Sequence, residues 1–545
     1  MIVIGHDQGR VNDEASAALV RAVDVYQRGG GLVQVLEQAA DSPADADVRR
    51  PAGAVAVREL PIPLLQDRLS RVATFVRPAR RPGGEELVPA APPAWTVAAV
   101  AARGDWPGVP RLAGVVTHPV LLPDGDVLTA AGFHQPTGLL VRPTPGLEVI
   151  VPARPTPADV ARAVGELLDV VCDFPFASDA HRAAWVAGLL TLLARPATAG
   201  PAPLFLVDGN VRGVGKGLLV DVLALIVYGT RFPVMSFTND PVEFGKRVTA
   251  LAAAGERAVL LDNLSGPVGN GTEGAALTAD HWRDRLLGTN RVYDGPLDVT
   301  WFATGNNCEL RADTGRRTAH IRLETPDERP ELKAGFKHPH LRRHVRRDRG
   351  RLLAAALTLL RGWHMADRPA AGLPAWGAFE EWSDVVRECV VWAGPPDPGG
   401  TRQALLTRAD RDATAMGELL RAMVRLDPRR SGRTAGEIVD ATRADPALRA
   451  AVEDVADQLD ARRLGYRLRG FARRVVDGLF LDHAGRAAGA SGGGCFRRAS
   501  SAPVRRTRHP ACDGPCVVMG VIGAMPPAPA GRERRPAVER RHPSG

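Results

Sequence analysis

The sequence contains very little lysine. Among its 70 Lys and Arg residues, only Lys216, Lys246, Lys333 and Lys337 are lysines. Arg serves wherever a plain positive charge is enough, so a retained Lys indicates a position that needs a compact and flexible ammonium group. We therefore give weight to any lysine that lies within a recognisable motif.

The sequence also lacks the features of membrane proteins and of disulfide-stabilised secreted proteins. Its six cysteines are few for 545 residues and mostly far apart, which is typical of a reducing compartment. The most apolar stretch, residues 217–229, is interrupted by Asp221 and is too short to cross a bilayer. The opening MIVIGHDQGR has no basic lead before its short apolar run. These absences predict a cytoplasmic protein with no membrane partner.

The excess positive charge is concentrated in one segment. The formal net charge is +9, and residues 491–545 contribute +7 of it through ten Arg and three acidic residues. The remainder of the chain is nearly neutral, so a pI near 9.7 is weak evidence that this part binds nucleic acid. Gly, Pro, Ser and Arg dominate the segment without periodicity, which predicts a disordered basic tail.

Changes in composition and periodicity divide the chain into six segments. They are an N-terminal α+β region of unknown role (1–150), a helical connector (157–200), an α/β core (201–350), a helical region (351–430), a winged-helix-like domain (431–485) and the tail (486–545). Within the first segment, residues 77–93 are rich in Pro, Gly and Ala and predict a linker.

Residues 203–325 alternate short apolar strands with helices. The strand candidates are PLFLVDG, PVMSFT, RAVLLDN, DVTWFATGN and AHIRLET. The helical candidates between them are GLLVDVLALIVYG, PVEFGKRVTALAAAG and ALTADHWRDRLL. This alternation predicts an α/β fold, with a parallel sheet that has helices on both faces.

A glycine-rich turn joins the first of these strands to a helix. Residues 204–220 read LFLVDGNVRGVGKGLLV. Glycines let successive backbone N–H groups curl around phosphate oxygens, the helix N-terminus attracts the anion, and a Lys reaches the terminal phosphates. The pattern predicts ATP binding; the alternative is a turn that binds no ligand. The predicted binding residues are Gly209, Asn210, Gly213, Val214, Gly215, Lys216 and Gly217.

Two positions of this turn depart from the pattern GxxxxGK[ST]. Asn210 stands where the first Gly is expected, with Gly209 one residue early. Gly217 replaces the hydroxyl residue that normally helps to hold Mg²⁺. The first change requires Asn210 to support the turn, and the second leaves the metal to water and to an acidic partner.

An acidic residue ends the third strand candidate. Asp262 follows four apolar residues and is predicted to bind the Mg²⁺ that accompanies ATP. The Glu that usually follows it and polarises the attacking water is here Asn263, and Glu243 or Glu273 are candidates to replace it. The alternative is that Asp262 is an ordinary turn residue at the end of a strand.

The fourth strand candidate ends in polar residues, and an Arg pair follows. Asn306 and Asn307, at the end of DVTWFATGNN, are predicted to contact the γ-phosphate, although an Asn-rich turn is the plain alternative. Arg316 and Arg317 precede the fifth strand candidate. An Arg supplied to a neighbouring subunit can stabilise charge on the transferred phosphoryl group; a solvated Arg pair is the alternative.

These motifs follow one another along the chain as the loop at Lys216, the acid at Asp262, the sequence ATGNN and the Arg pair. Their order resembles that in the AAA+ core of superfamily 3 helicases. The likeness is to the phage, plasmid and poxvirus primase-helicase type and covers about residues 200–330. The resemblance implies that Lys216 binds phosphate, Asp262 the Mg²⁺, Asn306 or Asn307 the γ-phosphate, and that Arg316 or Arg317 acts across a subunit interface. It further implies a homo-oligomeric ring that acts on single-stranded DNA.

Two basic segments are candidates for DNA contact. Residues 461–475 predict a recognition helix whose Leu464, Leu468 and Phe471 face a core while its arginines point outward. The run at residues 337–351 is equally rich in Lys and Arg, and we favour the solvated face of a helix there. The predicted DNA-binding residues are Arg462, Arg463, Arg467, Arg469, Arg473 and Arg474.

Together these features predict an ATP-dependent DNA helicase or translocase that replicates a phage, plasmid or other mobile element. Its predicted partners are single-stranded or replication-origin DNA, further copies of the chain and a separate primase. The first alternative is an ATP-dependent loader or remodelling switch without unwinding activity. The second is a DNA-binding regulator with a degenerate ATP site.

Overall fold

The computed structural model resolves the chain into two compact units, residues 1–406 and residues 407–545. The residues that the structure describes are 1–43, 46–81, 84–264, 268–269, 271–287, 291–308, 310, 312–429, 432–456, 458–472, 476, 479–483 and 518–522.

The first 150 residues form short helices and several small sheets. Strands β2, β3 and β5 make an antiparallel sheet, and β1, β6 and β7 make a mixed sheet in which β1 runs parallel to β6. The elements are β1 (Ile2–Val3), α1 (Gln8–Ala18), β2 (Tyr26–Arg28), β3 (Gly31–Glu37), β4 (Val48–Arg49), β5 (Val55–Glu59), α2 (Ile62–Val72), β6 (Phe75–Arg81), β7 (Gly84–Ala90), α3 (Ala94–Ala101), β8 (Gly114–Val116), β9 (Val120–Leu121), β10 (Val127–Leu128), β11 (Gly132–His134) and β12 (Leu139–Val141).

The prediction that residues 77–93 form a linker is wrong. Strands β6 and β7 form an antiparallel hairpin there, in which Val76 pairs with Pro89 and Pro78 with Leu87. Proline is tolerated in such a pair when its missing N–H faces away from the ladder, as on an edge strand. Composition alone therefore misled the prediction, because the two prolines lie at positions that the sheet can accept.

The remainder of the first unit is built around one large sheet. Its elements, continued to the long helix that follows, are α4 (Pro157–Val170), α5 (Asp179–Ala194), β13 (Leu204–Gly209), α6 (Lys216–Val227), β14 (Val234–Ser236), α7 (Pro241–Ala254), β15 (Ala258–Leu264), α8 (Gly271–Thr278), β16 (His281–Arg285), β17 (Val292–Pro296), β18 (Thr300–Asn306), α9 (Ala312–Arg316), β19 (Thr318–Leu323), α10 (Leu341–Arg347), α11 (Arg349–Met365), α12 (Glu380–Trp382), α13 (Glu388–Trp392) and α14 (Thr401–Leu426).

The strand order of this sheet is β19-β13-β18-β15-β14-β4. The first five strands run parallel, and β4 adds an antiparallel edge. All five predicted strands are present, which confirms an α/β fold with a parallel sheet. Numbered along the chain, the parallel strands lie in the order 5-1-4-3-2, so the carboxyl ends of β13 and β18 are adjacent.

Apolar layers cover both faces of the sheet. On one face, Phe205 and Phe302 stack with ring centroids 5.3 Å apart, and Phe302 stacks on Phe232 at 4.8 Å. On the other face, Trp301 packs beside Phe244 of α7. Burial on both faces explains why these strands read as continuous apolar runs.

The helix predicted from ALTADHWRDRLL, residues 276–287, is wrong beyond its first three residues. Helix α8 ends at Thr278, and β16 then pairs antiparallel with β17. Side chains of β16 alternate between exposed and half-buried, and the half-buried Trp282 donates its indole N–H to the Thr249 hydroxyl at 2.9 Å. Alternation with period two over five residues was too short to distinguish from a helical pattern.

Over the residues that the structure describes, the second unit combines most of α14 and three shorter helices with a three-stranded sheet. Leu448, Val452, Leu464 and Leu468 are fully buried in its core. The sheet order is β20-β22-β21, with antiparallel neighbours. The elements are β20 (Arg433–Thr434), α15 (Ala435–Ala441), α16 (Pro446–Ala456), α17 (Ala461–Gly470), β21 (Phe480–His483) and β22 (Val518–Ile522).

Strand β22 corrects the prediction that the whole of residues 486–545 is disordered. Val518–Ile522 pairs along β21 and reaches β20. This segment, VMGVI, is rich in β-branched and apolar residues, and the unpaired edges of β20 and β21 provide it with backbone partners. The rest of that predicted tail lies outside the described residues.

None of the helices that the structure describes is long and apolar enough to cross a membrane.

Candidate nucleotide-binding site

The predicted phosphate loop lies between the end of β13 and the start of α6. Gly213 and Gly215 have φ values of 80° and 98°, which favour glycine. Space is equally restricted, because a Cβ on Gly213 would come within 2.7 Å of the Glu331 carboxylate, and one on Gly215 within 3.0 Å of Phe174. Val214 is buried between them. Backbone conformation thus favours glycine at both positions, and the Phe174 ring also restricts the space at Gly215.

Asn210 supports the loop through its side chain. Its amide nitrogen donates to the Thr325 carbonyl at 2.7 Å, and its amide oxygen accepts from the Thr325 N–H at 3.2 Å. The backbone N–H of Asn210 also donates to the Leu323 carbonyl at 3.3 Å. The Asn in place of the expected Gly therefore ties the loop to the chain that follows β19.

Lys216 is the first residue of α6, and its ammonium lies at the tips of the central strands. Its Nζ donates to Oδ1 of Asn306 at 2.6 Å and to the Val211 carbonyl at 3.4 Å. Burial lowers the pKa of Lys216 below its ordinary value, and the negative charge of Asp208 partly opposes that shift. The structure thus brings the predicted phosphate-binding Lys and one predicted γ-phosphate sensor into direct contact.

Asp262 and Asn263 lie at an irregularity of β15. The register between β15 and β18 shifts between Leu261 and Leu264, and Asn263 has a φ of 56°. Oδ1 of Asp262 accepts a hydrogen bond from the Thr304 hydroxyl at 2.6 Å, while that hydroxyl accepts from the Asn263 N–H at 2.9 Å. The bulge therefore directs an exposed carboxylate to the same end of the sheet as Lys216.

Asn307 connects the tip of β18 to the phosphate loop. It has a φ of 47°, its N–H donates to the Gly209 carbonyl at 3.1 Å, and its side-chain Nδ2 donates to the Asn210 carbonyl at 3.2 Å. Asn306 and Asn307 thus face different partners, one the Lys216 ammonium and the other the loop backbone.

The other residues considered for metal binding or catalysis, which are Gly217, Glu243 and Glu273, differ in exposure and in contacts. Gly217 is in open space, with no atom within 4 Å of a Cβ built on it. Glu243 is half exposed and pairs with Lys246 at 2.5 Å on the surface of α7. Glu273 is buried in α8 with 3% of its surface exposed.

The two arginines before β19 differ in exposure. Arg317 is half-buried and pairs with Asp313 at 3.1 Å while donating to the Gly274 carbonyl. Arg316 has an exposed side chain, and its backbone carbonyl accepts from the Trp376 indole at 2.8 Å. Arg317 is therefore engaged within its own chain, whereas Arg316 presents its side chain outward from an anchored backbone.

Sequence reasoning missed a buried ionic cluster directly below the loop. Asp208, 3% exposed, pairs with Arg322 at 2.5 Å and lies 3.4 Å from His320. Burial would raise the pKa of Asp208, but hydrogen bonding to His320 and the charge of Arg322 hold that pKa below its ordinary value. The signal was present in the alternation of charged and apolar residues in AHIRLET, which marks one polar side of the strand β19 at the edge of the sheet.

A cavity of about 540 Å³ opens beside the loop. Its wall combines residues 213–215 with the aromatic rings of Phe174 and Phe336 and with the cationic side chains of Lys333 and Arg343. Apolar walls with a few convergent charges are typical of small-ligand sites. No motif had pointed to this cavity, because its residues come from three distant parts of the chain.

The basic run at residues 337–351 is largely engaged with acidic partners of its own unit. Arg342 pairs with Asp221 at 2.7 Å, Arg351 with Glu166 at 2.8 Å, and Lys337 with Asp169. These contacts agree with the interpretation of this run as a helix face and do not require a nucleic acid.

Helix α17 carries four of the six arginines predicted to contact DNA. Arg462, Arg463 and Arg469 are exposed, whereas Arg467 is half-buried and donates to the Val455 carbonyl at 3.1 Å. The helix ends at Gly470, short of the predicted residue 475. Arg473 and Arg474 lie outside the described residues.

Comparisons with known proteins give matches among solved structures but none among protein-family models or curated proteins. Among solved structures, the apo A form of the C-terminal region of phage NrS-1 is 11% identical, with a TM-score of 0.35 over 80% of this chain and 90% of that chain. The SCCmec type IV Cch active helicase is 10% identical, with a TM-score of 0.28 over 75% and 83% of the two chains. The JCV helicase bound to a small molecule is 15% identical, with a TM-score of 0.19 over 44% and 73%. All three TM-scores are low, so the proposal below rests on the geometry of the site.

Proposed function

We propose that this protein is an ATP-dependent DNA helicase or translocase of the AAA+ type, with a P-loop core, that serves the replication of a phage, plasmid or other mobile element. The observation that carries the proposal is the direct contact between Lys216 and Asn306, 90 residues apart. It joins the glycine loop to the adjacent strand tip. In open α/β sheets, ligands bind outside the carboxyl ends of the strands, which supports a ligand site here.

The donor groups at this edge fit ATP and Mg²⁺. The backbone amides around Gly213 and Gly215 and the Lys216 ammonium provide the positive groups that bind a triphosphate. Asp262 offers carboxylate oxygen, which Mg²⁺ prefers, beside the Thr304 hydroxyl. When bound, Mg²⁺ would neutralise charge on the phosphates. The residues of the chain would bind and orient the nucleotide, and the cavity of about 540 Å³ would accept its base.

The second unit supports a role on DNA. Its helices α15, α16 and α17, followed by β21 and β22, fit a winged helix. The exposed arginines of α17 would then contact the phosphates of single-stranded or origin DNA. We further propose that copies of the chain form a ring in the cytoplasm, that Arg316 acts across the subunit interface, and that a separate chain supplies any primase.

A second candidate function is an ATP-dependent loader or remodelling switch. Two features favour it: Asn263 stands where a water-polarising Glu is expected, and Gly217 provides no hydroxyl for the metal. Both changes weaken hydrolysis more than nucleotide binding. The third possibility, a DNA-binding regulator with a degenerate ATP site, would require that Lys216 binds no phosphate.

The decisive experiment is ATPase activity of the full chain with and without single-stranded DNA. We expect DNA to stimulate hydrolysis, Lys216→Ala to abolish it, and the matched surface variant Lys246→Ala to retain it. A strand-displacement assay would distinguish a helicase from a loader or remodelling switch without unwinding activity. A Lys216→Ala protein that hydrolyses ATP like the wild type would refute the proposed site.

A further inference from the structure

Arg322 of β19 binds three oxygen acceptors at once. Its NH1 donates to Oδ2 of Asp208 at 2.5 Å, its NH2 to Oδ1 of Asn307 at 2.8 Å, and its Nε to Oε1 of Glu324 at 3.0 Å. A guanidinium group holds its donors in one rigid plane. Its orientation therefore determines where these three partners lie relative to one another.

The Asp208 end of this arrangement is rigid. Asp208 and Arg322 are direct register partners in the β13–β19 pair. Oδ1 of Asp208 accepts from the backbone N–H groups of Gly209 at 2.9 Å and Cys308 at 3.3 Å. The carboxylate is thus anchored at the base of both the phosphate loop and the loop after β18, and it holds the guanidinium in turn.

The Asn307 end has a defined polarity. A guanidinium can only donate hydrogen bonds, so it must face the amide oxygen of Asn307 and never its NH₂ group. The Asn307 Nδ2 donor is consequently directed to the other side, where it reaches the Asn210 carbonyl of the phosphate loop at 3.2 Å. Without Arg322, the two ends of the amide could exchange.

We propose that Arg322 is a positioning residue for ATP hydrolysis, which rests on the function proposed above. Held by Asp208, it orients the Asn307 side chain so that its N–H donors, and not its carbonyl oxygen, face the phosphate loop, where the γ-phosphate of ATP would bind. Its own donors are directed at Asp208, Asn307 and Glu324. Arg322 therefore acts through Asn307 and contacts no phosphate.

The test uses the full chain and the variant Arg322→Lys. Lys keeps a positive charge beside the buried Asp208 but cannot form the planar fork to Asn307. We expect kcat for DNA-stimulated ATP hydrolysis to fall about a hundredfold, as for other misplaced catalytic groups, with KM and the affinity for a fluorescent ATP analogue within about threefold of the wild type. Glu324→Ala, which removes only the third contact, is the matched control and should retain kcat.

A double-mutant cycle separates positioning from a purely structural role. If Arg322 acts through Asn307, then Asn307→Ala should lower kcat to a similar degree, and combining it with Arg322→Lys should produce little further loss. If the ion pair between Arg322 and Asp208 were purely structural, its loss would instead lower the melting temperature and leave kcat at the wild-type value. If Arg322→Lys fails to fold, the double variant Asp208→Asn/Arg322→Gln, which buries no unpaired charge, takes its place in the same kcat measurements.

The outcomes distinguish this inference from the proposed function. If Arg322→Lys hydrolyses ATP at the wild-type rate while Lys216→Ala is inactive, the positioning role is overturned and the ATPase remains. If the losses of Arg322→Lys and Asn307→Ala simply add, the role through Asn307 is overturned as well. If the wild type neither binds nor hydrolyses ATP, the proposed function itself fails.

Discussion

At the scale of single residues, the glycine after Lys216 is the most informative departure from the expected pattern. A Cβ at Gly217 would meet no atom within 4 Å, so nothing in the packing requires glycine there. Glycine within a helix is also unfavourable. The missing hydroxyl is therefore a chemical difference, with no steric cause in the surrounding chain.

Replacing Gly217 with Thr should allow ATP hydrolysis at lower concentrations of Mg²⁺. The new hydroxyl has room and supplies the oxygen ligand that the loop lacks, so we expect the Mg²⁺ concentration for half-maximal ATPase activity to fall about tenfold. Gly217→Ala is the control, because it improves helix propensity by about 1 kcal/mol without adding a ligand. Identical Mg²⁺ curves for the two variants would contradict the prediction.

At the scale of elements, a partly buried carboxylate joins the end of α5 to the start of β15. Asp298 pairs with Arg257 at 2.7 Å and with Arg195, and both arginines are buried. Burial would raise the pKa of Asp298, but the two arginines lower it to about 2 from an ordinary value of 3.8. The carboxylate is therefore ionised across the whole physiological range.

This pairing predicts a specific acid sensitivity. A lowered pKa stabilises the fold fully above the unfolded value of 3.8, and the contribution is lost as the pH falls towards 2. Asp298→Asn should cost about 3 kcal/mol at neutral pH, because it leaves two buried arginines without their counter-ion. Its free energy of unfolding should also vary less than that of the wild type below pH 4, as measured by urea denaturation; parallel curves would contradict this.

Helix α17 leads to a prediction about DNA. Leu464 and Leu468 bury one side of the helix, which leaves Arg462, Arg463 and Arg469 exposed. Replacing these three by Gln should lower affinity for all DNA sequences and reduce the slope of log K against log salt by about 3. Arg449→Gln on α16, which breaks only a surface pair with Glu453, is the control. An unchanged slope would place the DNA contact elsewhere.

At the scale of the whole molecule, the exposed Arg316 predicts that the active site is shared between subunits. Arg316→Ala should abolish hydrolysis although it leaves Lys216 and Asp262 intact. Mixing it with Lys216→Ala protein should restore part of the activity, because a Lys216→Ala subunit can supply Arg316 to a neighbour that still binds ATP. Two inactive proteins that stay inactive together would show that the arginine acts within its own chain or not at all.

Much of the core was predictable from local patterns. Four of the five strands are mainly apolar, and β13, β15 and β18 end at or beside the residues that the motifs had marked, so the parallel sheet followed from the alternation of strands and helices. The β16–β17 hairpin and the β6–β7 hairpin did not follow. Their strands are short or contain proline, and pairing with the other strand of each hairpin decided their conformation.

The sequence by itself determined the chemistry of the candidate site, because the glycines, Lys216 and Asp262 are recognisable from residue type and spacing along a strand and its loop. Tertiary structure alone decided which polar groups meet. Asp208 and Arg322 are 114 residues apart, and only the adjacency of β13 and β19 brings them together below the loop. Local spacing carries information on turns and strand ends, whereas strand order depends on the packing of the whole sheet, which no single segment encodes.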